Sequence, residues 1–303
     1  MDNFPDISSA TEFQPMRDSR LFVMWLLGNT CPYKCSYCND TFNDGTFKYH
    51  PLEMVQSGMK LIPDAHVMFS GGEPTYHPDF EEILETKPSN LGVSIISNGA
   101  RPLAFWERIY PQIWSVILTF HVEYAFSNLD RFIKTASFCK TKLQKINLTM
   151  LPERWDDCIV AFNSFREAGL NVSPKPLVQD FGFQSSAIIG RYTDAQREWI
   201  ASHNKEENLQ TIQILDSSKN IILKTNPSAL IASKNTNFKG WECHTPKKFL
   251  MVDFDGKVYN TSCKQRQLVG SLQEGFIANS PPVICQQNFC WCHTDIVPKK
   301  VKL

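Results

Sequence analysis

The sequence predicts an α/β fold built on a parallel sheet, followed by a small cysteine-rich block that contains a hairpin. Three observations carry this. Short apolar runs alternate with helix-period stretches from residue 21 to about 180. A hairpin signal, Asp255-Gly256 between alternating apolar residues, stands in FLMVDFDGKVY (249–259). The cysteines gather in two groups, one just after the first apolar run and one around that hairpin.

The elements follow in order. LFVMWLLGNT (21–30) is an apolar run of strand length that ends in turn chemistry. HVMFS (66–70), GVSIISN (92–98), SVILTFH (115–121), KINLTML (145–151) and NVSPKPLV (171–178) read as further buried strands. Helix-period stretches fall between them near 52–61, 79–86, 102–109, 127–140 and 154–168. Buried strands alternating with helices run parallel and are joined by right-handed crossovers, which gives six βα units. Sheets of this kind gather ligands at the C-terminal ends of their strands. The unusual residues fall there: Cys31, Gly71–Glu73, Ser97–Asn98 and His121.

YTDAQREWIASHN (192–204) reads as another helix, with Thr193 as its cap. The next stretch turns to Asn, Lys, Ser and Gln, interrupted by two runs of strand length, TIQIL and IILKT. The expected division is a lead-in over 1–20, a core over 21–204, a bridge over 205–240 and the cysteine-rich block over 241–303. The first 20 residues read as a loose lead-in, too short for a separate peptide-binding domain. The PKKVKL tail reads as a solvated end.

Composition narrows the functions. Among 303 residues, 31 Lys and Arg balance 31 Asp and Glu. This zero net charge removes the general electrostatic case for a nucleic-acid or anionic-membrane binder. No apolar run reaches the roughly 18 residues of a membrane span, and MDNFPDISSATEF is acidic and polar, unlike a signal peptide. The expected location is the cytoplasm. Cysteine clusters there hold metal or do chemistry more often than they form disulfides.

Eight of the ten cysteines are clustered. Cys31, Cys35 and Cys38 stand at C-x3-C-x2-C in a loop that directly follows a strand. Soft thiolates select an iron–sulfur cluster or zinc. Three thiolates leave one iron of a 4Fe–4S cluster open to another ligand. A zinc site completed by a distant donor is the alternative. Cys243, Cys263, Cys285, Cys290 and Cys292 form the second group, where a four-cysteine zinc site, with His244 and His293 as further donors, is again the alternative. Cys139 and Cys158, on helix-like segments, read as small buried hydrophobes. FNSF (162–165) reads as core, and Lys175 as facing either a cavity or solvent. No general base stands out.

CPYKCSYC resembles the signature of the radical S-adenosylmethionine (SAM) enzymes. FSGGEPT (69–75), ISNG (96–99) and LTFH (118–121) follow in the order and spacing of that family. The resemblance implies a partial (β/α)6 barrel with a SAM-binding 4Fe–4S cluster on Cys31, Cys35 and Cys38. It implies SAM contacts at Tyr37, Gly71, Gly72, Glu73, Ser97, Asn98 and His121. The physical reading agrees: a glycine pair lets backbone come close to a ligand, and Glu73 suits an ammonium group.

The C-terminal block resembles the auxiliary-cluster modules called twitch and SPASM. It departs from them in having six residues between Gly256 and Cys263, where about four are usual, and five cysteines where the long form has seven. The resemblance implies a short module with a second 4Fe–4S cluster on four of Cys243, Cys263, Cys285, Cys290 and Cys292, with Trp241 and Trp291 as shields. The implied activity is oxidoreductase- or lyase-type. SAM is reductively cleaved, and a 5′-deoxyadenosyl radical takes a hydrogen atom from a small molecule or peptide. An external electron donor of flavodoxin or ferredoxin type is implied as well. A maturase that cross-links ribosomal peptides is the alternative within the family, and a zinc-binding structural or interaction protein the alternative outside it.

Overall fold

The computed structural model of the chain describes residues 4–16, 20–177, 191–204 and 211–303. After β1 (Glu12–Pro15) come β2 (Leu21–Leu26), α1 (Leu52–Leu61), β3 (Ala65–Ser70), α2 (Phe80–Glu85), β4 (Leu91–Ser97) and α3 (Leu103–Ile109). Next are β5 (Ser115–Phe120), the short α4 (Val122–Ala125), α5 (Leu129–Phe138), β6 (Leu143–Met150), α6 (Trp155–Glu167) and β7 (Val172–Pro176). β2 to β7 pair in sequence order, each parallel to the next, as the alternating pattern predicts. The last of these strands was expected over 171–178, and Val178 lies outside the described residues.

Each strand presents two different faces. Val23, Trp25, Val67, Phe69, Val93, Ile95, Val116, Leu118, Ile146 and Leu148 join the hydrophobic core. The helices meet them there with Phe105, Trp106, Phe132, Ala161, Phe162 and Phe165, so both aromatics of FNSF are core as expected, while Asn163 is exposed. Phe120 packs edge-on against both Phe132 and Phe165, at 5.0 and 5.1 Å. Side chains alternate along a strand, so Lys145, Asn147 and Thr149 of β6 and Lys175 of β7 share the opposite, inner face. Cys139 and Cys158 are fully buried in the core, in agreement with their reading as hydrophobes.

α7 (Asp194–Ser202) starts at Thr193, whose hydroxyl accepts from the Gln196 N–H while the Gln196 side chain accepts from Thr193 N–H. β8 (Ile212–Leu215) and β9 (Ile221–Thr225) are the two runs expected in the bridge, paired antiparallel. Residues 205–210 of that bridge lie outside the described residues. Then follow α8 (Pro227–Ala232), β10 (Trp241–Cys243), α9 (Thr245–Lys248), β11 (Phe249–Val252), β12 (Lys257–Tyr259) and β13 (Leu268–Ser271). The chain closes with β14 (Gly275–Phe276), β15 (Val283–Ile284), α10 (His293–Ile296) and β16 (Lys300–Lys302).

The predicted hairpin forms, with Met251 opposite Tyr259 and Gly256 at φ +76° in its turn. It does not stand apart. β11 pairs in parallel with β2, from Phe249–Phe22 to Val252–Trp25. One ten-stranded sheet results, ordered β14-β13-β12-β11-β2-β3-β4-β5-β6-β7. The expected boundary at 241 therefore does not separate two sheets.

A second sheet runs β15-β10-β16-β1-β8-β9. Two expectations change here. Part of the supposed lead-in is β1, held between β16 and β8, and part of the supposed solvated tail is β16. Both segments are short and polar, so periodicity does not mark them. Their neighbours in space supply the pairing, and charged residues are buried with partners. Glu12 is paired with Lys219 and, at 2.9 Å, with Lys299. Lys300 donates to the Pro298 carbonyl at 2.8 Å. Among the described residues no helix is long and apolar enough to cross a membrane.

Candidate functional site

The cysteine loop leaves β2 through Gly28, and the SGGEPT loop leaves β3 and docks on it. Gly72 N–H donates to the Gly28 carbonyl at 2.8 Å, and Glu73 N–H to the Thr30 carbonyl at 2.9 Å. A Cβ on Gly72 would meet the Thr30 carbonyl oxygen at 2.3 Å, and one on Gly71, whose φ is +127°, the Gly28 oxygen at the same distance. The glycine pair was expected to let backbone approach a ligand. In the structure it lets one loop backbone approach the other.

Glu73 is 1% exposed and ties three segments together. Its Oε1 accepts from Thr75 N–H at 3.1 Å and from the Thr75 hydroxyl at 2.6 Å. Its Oε2 accepts from Asn98 N–H at 2.6 Å. Burial pushes the carboxyl above its usual range, and these donors oppose that shift. Asn98 Nδ2 reaches Cys31 Sγ at 3.7 Å, while its Oδ1 accepts from Ala100 N–H at 2.9 Å. Ser97 Oγ accepts from Gly99 N–H at 3.1 Å. The motif ends of β3 and β4 therefore converge on the first cysteine.

His121 directly follows β5 and lies beside Cys35. Its Nδ1 lies 3.6 Å from Cys35 Sγ and 2.7 Å from the Tyr37 hydroxyl. The Tyr37 and His121 rings stack at 6.0 Å, and Tyr33 stacks on Tyr124 at 4.8 Å. Tyr37 also reaches Thr149 Oγ1 at 3.1 Å, which carries the network onto β6. Burial, reinforced by the charge of Lys175, drops His121 to about 4, so the ring is neutral. Burial pushes the thiols up, Cys31 to about 11 and Cys35 to about 12. Binding of a soft metal at these thiols must displace protons.

In the C-terminal block Cys243 lies within electrostatic range of Cys263, Cys285 and Cys290, and Cys292 within range of Cys290. β10 brings Cys243 beside β15 and β16. Cys285 N–H donates to Trp241 O at 2.8 Å, and Cys290 N–H to Thr236 O at 2.8 Å. Burial raises Cys263 to about 12, and raises Cys285 and Cys290, with nearby Cys243 adding to all three. Cys292 meets the Thr294 hydroxyl at 2.9 Å. Asp295, buried behind them, accepts from the hydroxyls of Thr261 at 2.7 Å and Ser262 at 2.6 Å, which fixes the loop carrying Cys263. Trp241 packs on Phe13 and Phe238, at 5.5 and 5.8 Å. His244 Nε2 meets Glu242 at 2.7 Å, and His293 Nε2 meets the Ser228 hydroxyl at 3.4 Å.

Among the described residues no three His, Cys, Asp or Glu side chains are grouped so as to hold a single metal ion. The donor chemistry of both groups, all thiol and partly or fully buried, fits an iron–sulfur cluster.

The sequence reading named Lys175 but passed over Lys145, Asn147 and Thr149. KINLTM alternates polar and apolar residues, and that alternation is the signal that marks a second, polar face. Lys145 is 4% exposed and Asn147 is 5% exposed.

Residues 25–171 match the family model described as Radical SAM superfamily. Over 76 residues, 24% of this chain, the sequence is 34% identical to a probable GTP 3′,8-cyclase of Methanocella arvoryzae. That match spans a quarter of the curated relative. The fold is similar to that of SuiB of Streptococcus suis, with a TM-score of 0.56 at 13% identity, covering 84% of this chain and 64% of SuiB. The motifs at the ends of β2 to β5 lie inside the segment that matches this family model, together with the first cysteine group.

Proposed function

We propose that this chain is a radical SAM enzyme acting on a small metabolite. Cys31, Cys35 and Cys38 are the protein ligands of a 4Fe–4S cluster, and Tyr37, Gly71, Gly72, Glu73, Ser97, Asn98 and His121 surround SAM. The observation that carries this reading is the meeting of the cysteine loop, the SGGEPT loop and the SNG turn at Glu73 and Asn98. When bound, the cluster and SAM supply a one-electron reductive cleavage to methionine and a 5′-deoxyadenosyl radical, which takes a hydrogen atom from the substrate. The chain's own residues position and enclose. Asn98 and His121 hold a nitrogen near the Cys31 and Cys35 sulfurs, where an N–H stabilises thiolate charge. Tyr33, Tyr37 and Tyr124 wall the site against water.

Four of Cys243, Cys263, Cys285, Cys290 and Cys292 hold a second cluster that accepts an electron or anchors substrate. An external flavodoxin- or ferredoxin-type donor reduces the protein in the cytoplasm. Iron and sulfide per chain after anaerobic reconstitution test both assignments. About eight irons are expected in the native protein and about four when Cys31, Cys35 and Cys38 are all changed to Ala. Zinc in place of iron in both proteins would sink the reading.

A peptide substrate is the second reading, and one observation favours it. A cavity of about 730 Å³, lined by Phe13, Leu223, Phe238 and Trp241 among others, lies beside the edge strand β9. An extended peptide adds to an edge of that kind.

A further inference from the structure

The last strand, β16, places a buried cation beside the second cysteine group. Lys300 stands directly opposite Cys243 in the antiparallel pairing of β16 with β10. Residues paired in this way share one face of a sheet, with Cβ atoms about 4.5–5.5 Å apart. Lys300 is 1% exposed. Its Nζ donates to the Asp295 carbonyl at 2.5 Å, to the Pro298 carbonyl at 2.8 Å and to the Thr245 hydroxyl at 3.5 Å. Three acceptors call on three N–H donors, so the group is an ammonium ion.

None of the groups that hold this ammonium carries a charge. The carboxylate of Asp295 is turned to the Thr261 and Ser262 hydroxyls, at 2.7 and 2.6 Å. The charge of Lys300 reaches that carboxylate, yet burial holds the carboxyl above its usual range. Phe238 covers the other side, with its ring centroid 5.7 Å from Nζ. Burying an ammonium ion is unfavourable, and uncharged acceptors offset only part of the loss. Negative charge gathered at the cysteines would offset the rest.

The sulfurs are within reach of it. Thr245 Oγ1 lies 3.2 Å from Cys243 Sγ and 3.1 Å from the Asp295 carbonyl. The hydroxyl has one proton to give. A thiolate is a stronger acceptor than a carbonyl, so with Cys243 ionised the hydroxyl turns to the sulfur and Lys300 keeps the carbonyl. Lys300, Thr245 and Cys243 then form a chain of donors that ends on sulfur. The charge of Lys300 also reaches Cys285 and Cys290, where it counters the rise caused by burial. Net charge and hydrogen bonds to sulfur are among the levers that set a cluster's potential, and here both favour the state with the added electron.

We propose that Lys300 is a positioning residue for the second cluster: its buried ammonium, opposite Cys243 and hydrogen-bonded to Thr245, stabilises the reduced form and makes that cluster an electron acceptor rather than a substrate anchor. The proposal rests on the reading that the C-terminal cysteines hold a cluster. In turnover one electron passes from the substrate radical to the cluster and one proton passes to water, which leaves a closed-shell oxidised product. The external carrier then takes the electron away.

Redox titration of the reconstituted full chain, followed by EPR, tests this. The second cluster's signal is the one that survives when Cys31, Cys35 and Cys38 are changed to Ala. Lys300→Met removes the charge at similar volume, and Lys300→Gln removes it while keeping an N–H donor. Both variants are expected to retain the second cluster and to hold its electron about tenfold or more weaker, a fall of about 59 mV or more for one electron. The first cluster is expected to hold its electron as in the wild type, within about twofold.

A second-cluster potential that is unchanged or raised in both variants would overturn the proposal. So would a fall in Lys300→Met alone, since the hydrogen bond and not the charge would then be at work. An equal fall at both clusters, or loss of the second cluster's iron from both variants, would mark Lys300 as structural and overturn it too. A wild type without a second cluster would remove the cluster assignment and the proposal with it, whereas a retained cluster of unchanged potential removes the proposal alone.

Discussion

The Tyr37 hydroxyl and His121 Nδ1 are 2.7 Å apart, and the direction of that hydrogen bond follows from the next residue. Thr149 donates its one hydroxyl proton to the Phe120 carbonyl at 2.9 Å. Toward Tyr37 it therefore accepts, so the phenol donates to Thr149 and accepts from His121. The imidazole is fixed as the Nδ1–H tautomer, with Nε2 bare.

Tyr37→Phe breaks this chain at its centre. His121 Nδ1 and the Thr149 hydroxyl each lose a partner in a buried site, and the expected loss is ~1–3 kcal/mol of stability. The same variant should let the other imidazole tautomer appear. Denaturant midpoints and ¹⁵N shifts of the His121 ring check the two effects. A native-like tautomer population in Tyr37→Phe would show that the phenol does not set it.

Glu73→Gln tests the tie between the loops. The amide replaces one acceptor oxygen by a donor, while Thr75 and Asn98 both present donors to this side chain. One contact must be lost and two donors set against each other, at a cost of ~1–3 kcal/mol. The readout is the urea midpoint of the iron-free chain, which separates the tie from any role toward SAM. An unchanged midpoint would mean that the three hydrogen bonds add nothing net.

Acid should destabilise the chain through its histidines, and His66 gives the cleanest window. It packs against Trp114 at 4.4 Å, and burial, aided by the charge of Arg20, lowers it from 6.5 to about 4. Between these values the unfolded chain binds the extra proton and the folded chain does not. Stability therefore rises with pH from about 4 to 6.5, by up to ~3 kcal/mol at about 1.4 kcal/mol per unit. Glu73 and Asp295, raised by burial, act in the opposite sense. The difference between wild type and His66→Phe isolates the histidine, and that difference should grow as pH falls through the window. Parallel pH profiles of the two proteins would rule the effect out.

The parts of the fold legible in the sequence are those decided locally. HVMFS and SVILTFH are runs that only a buried strand accommodates, and Asp255-Gly256 selects a tight hairpin turn by its backbone freedom. The positions of Cys31, Glu73, Asn98 and His121 at strand ends follow from the same local reading. What escaped it depends on partners distant in the chain. EFQP becomes a strand because β16 and β8 lie on either side of it. The hairpin joins the main sheet because Phe249 finds Phe22. The glycine pair of SGGEPT was visible, but that its neighbour is the Thr30 backbone was not.

The pairing of β11 with β2 also sets an order of events during synthesis. β2 leads into the first cysteine loop, and its outer edge stays uncovered until residues 249–252 have been made. At ~5–20 residues per second that wait is roughly ten to forty seconds. Throughout it the nascent chain exposes a strand edge to whatever the cell offers, a chaperone among them. Closure of the sheet then comes late, once residues 249–252 arrive.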